Sequence, residues 1–175
     1  MRLTDYTDYS LRVMLYLAVR GEGLSTIQDI SDAYGISKNH LMKVVQRLGE
    51  LGWVETVRGR NGGLRLFDHS SALTVGEVVR ATESDFALVA CFHARNGAQD
   101  GQGSPHNERH CVIESQCRLK GVLERARHAF LSELDGHTIG ELAEPAGPLA
   151  ALLRIGRTIP VALVVPPDGE APRVD

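Results

Sequence analysis

Residues 37–67, SKNHLMKVVQRLGELGWVETVRGRNGGLRLF, decide the fold. Ser37 is a favoured N-cap type, and Leu41, Val44, Val45, Leu48 and Leu51 then recur at helical spacing. After Gly52 the period changes, and Trp53–Arg58 and Leu64–Phe67 read as two strands. Gly59-Arg60-Asn61-Gly62-Gly63 joins them, with Asn-Gly as the tight-turn signal. The stretch predicts a helix followed by a β-hairpin with arginine at its tip.

Upstream, Ser25-Thr26-Ile27-Gln28 reads as a capping box with Gln28 at the third helical position. The helix it opens carries Ile27, Ile30 and Ala33 on one face and stops at Gly35, giving two short helices joined by a tight turn. Thr4 caps a further helix over Asp5–Arg20, which Gly21 closes. Helix, turn, helix and hairpin together make a winged helix-turn-helix.

Downstream, Thr74-Val75-Gly76-Glu77 is a second capping box, opening a short helix through about Ala81. Residues His93 to Arg109 hold no apolar side chain larger than alanine and read as a flexible loop. From about Arg118 to Leu134, the residues Leu119, Val122, Leu123, Ala126, Phe130 and Leu134 form an apolar stripe, and Asp135-Gly136 ends the helix. This long helix has no evident partner in the chain, so packing against its copy in a homodimer is the simplest way to bury it. From Glu144 onward six of the seven prolines crowd between Pro145 and Pro172, which predicts a mostly irregular tail with one possible strand over Ile159–Val165. The expected fold is mainly α, a winged helix-turn-helix with a small hairpin wing and a long C-terminal dimerisation helix. Its divisions are 1–83 (winged helix), 84–117 (cysteine-containing loop), 118–143 (dimerisation helix and its end) and 144–175 (Pro-rich tail).

The 175 residues, 43% apolar and 23% charged, suit one ordinary globular unit and exclude a disordered chain. The most apolar early stretch, Leu11–Val19, is nine residues long and contains Arg12, too short for a membrane span. A cytoplasmic location is expected. The net charge is −3, yet Ile36–Phe67 carries six basic residues against two acids. That asymmetry points to a nucleic-acid-facing patch on an acidic body. Ser37, Lys38, Asn39, His40 and Lys43 lie where a recognition helix meets base edges in the major groove of an operator duplex. Arg58, Arg60 and Asn61 sit at the wing, where they could reach phosphates or the minor groove. A protein-docking winged helix stabilised by zinc is the competing class. No nucleophile–base pair or carboxylate dyad stands out, and Gly97-x3-Gly101-x-Gly103 lacks the preceding strand of a nucleotide loop, so an enzyme is not expected.

The three cysteines, Cys91, Cys111 and Cys117, fall in one segment. Structural zinc would want four ligands and a closer pair, though His93, His106 or His110 could complete a set. Iron–sulfur clusters tolerate wider spacings, and three thiolates leave one iron needing a non-cysteine ligand. A thiol switch or unliganded cysteines also remain. Cys117 opens the long helix, whose positive dipole end favours an anionic sulfur.

Three segments now line up. Met1–Arg12, Arg58-Gly59-Arg60-Asn61-Gly62-Gly63 and Cys111-x5-Cys117-Arg118-Leu119-Lys120-Gly121 together resemble NsrR, the nitric-oxide-sensing repressor branch of the Rrf-two-type (BadM-like) transcription regulators, over roughly residues 1–143. The resemblance implies a homodimeric repressor with one iron–sulfur cluster per subunit, a 4Fe–4S cluster in this branch. Cys91, Cys111 and Cys117 match its thiolate ligands, and Asp8 matches the carboxylate ligand supplied by the partner subunit. Read from the residues alone, Asp8 is an exposed acid paired with Arg12 at i,i+4. The resemblance further implies that nitric oxide attacks the cluster and releases the DNA. Two departures matter. The Cys91–Cys111 loop is longer than usual in the branch and brings His93, His106 and His110, which keeps open a redox sensor with a 2Fe–2S cluster. Lys120 stands where related assembly regulators carry a histidine ligand.

Overall fold

A computed structural model describes residues 2–89, 92 and 111–156. Cys91, the loop assigned to residues 93–109 and the possible strand Ile159–Val165 lie outside the described residues. The elements run α1 (Asp5–Arg20), α2 (Ile27–Tyr34), α3 (Lys38–Glu50), β1 (Val54–Val57), β2 (Gly63–Leu66), α4 (Val75–Thr82), α5 (Arg118–Asp135), α6 (Ile139–Leu142) and α7 (Ala146–Leu152). A 3-10 turn follows β2, and another lies at Glu114–Gln116. The winged helix-turn-helix expected from the sequence is present.

Helix α1 is the centre of the packing, because it meets α3, α4, α6, α7 and β2. Its Val13, Met14, Tyr16 and Leu17 are buried, and Leu41, Val44, Val45 and Leu48 of α3 are buried in the same cluster with Ile30, Val54, Leu64, Val78, Val79 and Ile139. Four residues per two turns of α3 thus face inward, which leaves its opposite face to solvent. Thr4 caps α1 by accepting from Thr7 N, and Gly21 ends it at φ +68°. Glu83, just past α4, accepts from Thr4 N at 2.6 Å and Thr4 Oγ1 at 3.1 Å, so the start of α1 is tied to the end of α4.

Three local readings differ from the sequence expectation. The cap of α2 is Thr26 with Asp29, one residue later than the Ser25–Gln28 box. Ser25 is already committed: its N–H donates to Leu64 O at 3.0 Å and its carbonyl accepts from Leu64 N at 2.7 Å, which adds a bridge beside the wing and buries the residue. The wing turn closes through Gly62 N donating to Gly59 O at 3.0 Å, so Arg60-Asn61, not Asn61-Gly62, occupies its centre. Gly59 supplies the left-handed φ of +116°. The segment after Glu144 is not irregular throughout, since Ala146–Leu152 forms α7. Pro148 sits within its first turn, where a missing N–H costs no helical hydrogen bond. A further capping box, Thr138 with Glu141, opens α6, which sequence reasoning passed over.

Leu41 and Met42 test this partition of α3. Leu41→Ala should cost about 2–5 kcal/mol in urea unfolding, the range for a buried leucine. Met42→Ala should stay within about 0.5 kcal/mol of wild type, as for an ordinary surface change.

Candidate nucleic-acid interface and cysteine region

The outward face of α3 is polar and cationic. Lys38, Asn39, His40 and Lys43 are all exposed, as are Gln46 and Arg47 further along. Ser37 is the N-cap and accepts from His40 N, so its hydroxyl serves the helix start. The His40 ring stacks on Tyr9 of α1 with centroids 5.9 Å apart. The first turns of α1, α2 and α4 contain acids, Asp5 with Asp8, Asp29 and Glu77, whereas α3 has none. The positive end of α3 is therefore left free for an external anion such as a phosphate.

The wing lies next to this face because β1 follows α3 after one turn, with Trp53 N donating to Leu48 O at 2.9 Å. The strands pair antiparallel from Val54↔Leu66 to Val57↔Gly63. Within the hairpin the Glu55 carboxylate accepts from Arg65 Nε at 2.6 Å, which holds the Arg65 guanidinium more firmly protonated than usual. Arg58, Arg60 and Asn61 are exposed at the tip. Among the described residues no ion pair involves Lys38, Lys43, Arg58 or Arg60. The cations expected on α3 (Lys38, Lys43) and on the wing (Arg58, Arg60) are thus exposed and without an ion pair among the described residues. Met42, 50% exposed on α3, belonged to neither the apolar stripe nor the site expected from the sequence.

The cysteine region is built differently. Cys111 and Cys117 are free thiols of intermediate exposure, separated by the short 3-10 turn. Cys117 is the residue preceding α5 and caps it with no side-chain hydrogen bond. Helix α5 has no buried residue along its 18 positions, and Leu119 and Val122 are exposed beside the exposed Val112 and Ile113. Its far end is fixed: Arg80 of α4 donates to both Asp135 oxygens at 2.5 and 2.6 Å, and this guanidinium holds the Asp135 carboxyl below its ordinary range. Asp8 accepts from Arg12 Nε at 3.0 Å, the i,i+4 pair expected from the residues alone. Arg12 also lies over the Tyr34 ring of α2 at 5.6 Å. Among the described residues no three His, Cys, Asp or Glu side chains assemble in metal-binding proximity. No described helix is long and apolar enough to cross a membrane.

A model of the Rrf2 family, described as iron-dependent transcriptional regulator, matches residues 3–145. The chain belongs to this family of transcriptional regulators. It is 49% identical over 143 residues to the HTH-type transcriptional regulator NsrR of Bacillus licheniformis, covering 81% of this chain and 92% of that one. The NsrR of Bacillus subtilis is 47% identical over 156 residues, covering 89% and 99%. Among solved structures, oxidised Staphylococcus aureus CymR superposes with a TM-score of 0.61 at 25% identity, over 82% of this chain and 97% of that one. T. potens IscR shares the fold, with a TM-score of 0.60 at 21% identity over 85% and 90%. The family assignment makes the chain a DNA-binding regulator, not an enzyme, in line with the sequence expectation.

Gly62 should be indispensable to the wing. A Cβ there would collide with the Val57 carbonyl, which is backbone and cannot swing aside. Gly62→Ala should destabilise the protein by about 1–3 kcal/mol, the size of an overpacking defect, in urea unfolding. It should also speed amide exchange at Leu64 and Ser25, which form the bridge beside the turn.

Proposed function

We propose that this chain is a nitric-oxide-responsive repressor that binds its operator as a homodimer. Each subunit would hold one iron–sulfur cluster, of the 4Fe–4S type, on the thiolates of Cys91, Cys111 and Cys117, with Asp8 of the partner subunit as the remaining ligand. The observation that carries this reading is a pair of free, part-exposed thiols at the start of a helix with nothing buried along it, in a chain nearly half identical to NsrR regulators. The donors suit the group: thiolates are the ordinary ligands of such clusters, and the Asp8 carboxylate is near the surface with only an exposed ion pair to give up. The apolar stripe of α5 would pack against its copy, with Val112 and Ile113 beside it, because one chain buries none of these side chains. When bound, the cluster supplies an iron whose carboxylate ligand is the weakest of its set, and so the position most open to nitric oxide.

The chain's own residues then carry the response. An Asp8 released from the partner has Arg12 at i,i+4 to return to. Arg12 rests on Tyr34 of α2, and the neighbouring Tyr9 stacks on His40 at the start of α3. Helix α1 therefore touches both helices of the helix-turn-helix through Tyr9 and Arg12, each one turn on from an acid of its first turn, and a shift there would change the spacing of the two recognition helices across a dimer. In the DNA-bound state Ser37, Lys38, Asn39, His40 and Lys43 would enter the major groove. Arg58, Arg60 and Asn61 would lie along the backbone or minor groove. The division into a DNA-binding unit (1–83), a cluster loop (84–117), a dimerisation helix (118–143) and a tail follows from this assignment.

Iron, acid-labile sulfide and zinc measured in protein purified without oxygen test the cluster. About four irons and four sulfides per subunit are expected, and Cys111→Ser or Cys117→Ser should abolish them. Two of each would replace this reading with a 2Fe–2S redox sensor, and zinc or no metal would remove it. DNA contact is tested separately. Lys43→Ala with Arg60→Ala should weaken operator binding and flatten the dependence of log K on log salt by about 0.9 per lost phosphate contact. An unchanged slope would show these residues to be bystanders.

A further inference from the structure

One exposed side chain on α3 is left unexplained by the polar chemistry of its face. Leu41, Val44, Val45 and Leu48 fill the core at 0–6% exposure, while Met42 stands about 100° around the helix from Leu41 and is 50% exposed. The other large apolar side chains left exposed among the described residues are Phe67, Val112, Ile113, Leu119, Val122, Leu142 and Leu152. None of those lies on α2 or α3, so Met42 is the lone case on the two helices of the helix-turn-helix. Asn39 lies one turn before it, Lys43 beside it and Gln46 one turn after, all exposed. The Gln46 amide is already engaged, since its Nε2 donates to Glu50 at 3.2 Å. An apolar group on a polar face with the unpaired cations Lys38 and Lys43 suits a polyanion that carries its own apolar spot, better than it suits an apolar protein surface.

We infer that Met42 is a specificity-determining residue that packs against the C5-methyl group of a thymine in the major groove. This deepens the DNA-reading role of α3 proposed above and rests on it. Of the groups that the four bases present in that groove, the thymine methyl is the apolar one. An unbranched thioether adapts its shape to such a contact and is readily polarised by it. Asn39, one turn earlier, offers the donor–acceptor pair that matches adenine N6 and N7. The two side chains together favour neighbouring A·T pairs within each half-site. Lys38 and Lys43 would supply the sequence-independent attraction.

The test uses the full-length protein purified without oxygen. A random-sequence duplex pool is enriched on the wild type, and the selected duplex is remade with uracil for thymine at one position at a time, which removes only the C5-methyl. One replacement per half-site should weaken wild-type binding about fourfold, the worth of one buried methyl group. The same replacement should leave Met42→Ala unaffected, and Met42→Leu, which keeps the apolar bulk, should remain sensitive. Binding to mixed-sequence DNA should be equal for wild type and Met42→Ala. Equal losses for wild type and Met42→Ala at every thymine would overturn the role of Met42 and leave α3 as the reading helix. A pool that yields no enriched sequence would overturn the reading of α3 itself.

Discussion

The burial of one stripe of α3 against α1 is the constraint on which the rest depends. Leu41, Val44, Val45 and Leu48 enter the same core as Val13, Met14 and Leu17. A single helix can commit only one stripe in this way, so burying these four sends Asn39, Met42, Lys43 and Gln46 outward together. The wing inherits its place from the same contact. Its first strand starts four residues after α3, with Trp53 bonded to Leu48 and Val54 in the core. Hairpin and recognition helix are therefore held by shared hydrophobic surface, and among the described residues Lys38, Lys43, Arg58 and Arg60 form no ion pair.

Helix α5 shows the opposite condition. It is longer than α1, yet no residue along it is buried, and its apolar stripe lies beside the apolar pair Val112–Ile113. The Arg80–Asp135 pair holds its end to α4, and Leu134 packs on the core. Its other end begins at Cys117. A helix fixed at one end and unburied along its length is suited to completion by a second subunit, the arrangement that the proposed function requires. Within a chain, α1 is connected to the reading helix by Tyr9 and His40 and to α2 by Arg12 and Tyr34, one turn beyond Asp5 and Asp8. The connection is short and made of stacked rings and one cation, contacts that change when a neighbouring carboxylate changes partner.

Much of this was legible before any coordinates. The bounds of α1, the caps Thr4, Ser37 and Thr74, the Gly35 turn and the Asp8–Arg12 pair follow from residue type and helical spacing, which act over three or four positions. The readings that failed were those in which a distant segment had a prior claim. Ser25 could not cap α2 because its backbone pairs with Leu64, 39 positions later in the chain. Proline content suggested a mostly irregular tail, and in its described part the short helix α7 forms where the segment meets α1, with Pro148 in a position that needs no donor. Met42 was left out of the apolar stripe, and only its exposure in the fold marks it as a surface residue.

The sequence by itself determined the order of the elements, the helix caps, the positive balance of Ile36–Phe67 and the family to which the chain belongs. Each of these rests on local spacing or on residue identity in a fixed order. Only the tertiary structure decided that Met42 is exposed on α3, that Arg65 pairs with Glu55 while Arg58 and Arg60 form no ion pair among the described residues, and that Tyr9 stacks on His40. It also decided that no residue along α5 is buried. Those facts depend on which surfaces meet across long sequence separations, and burial settles that competition for the molecule as a whole.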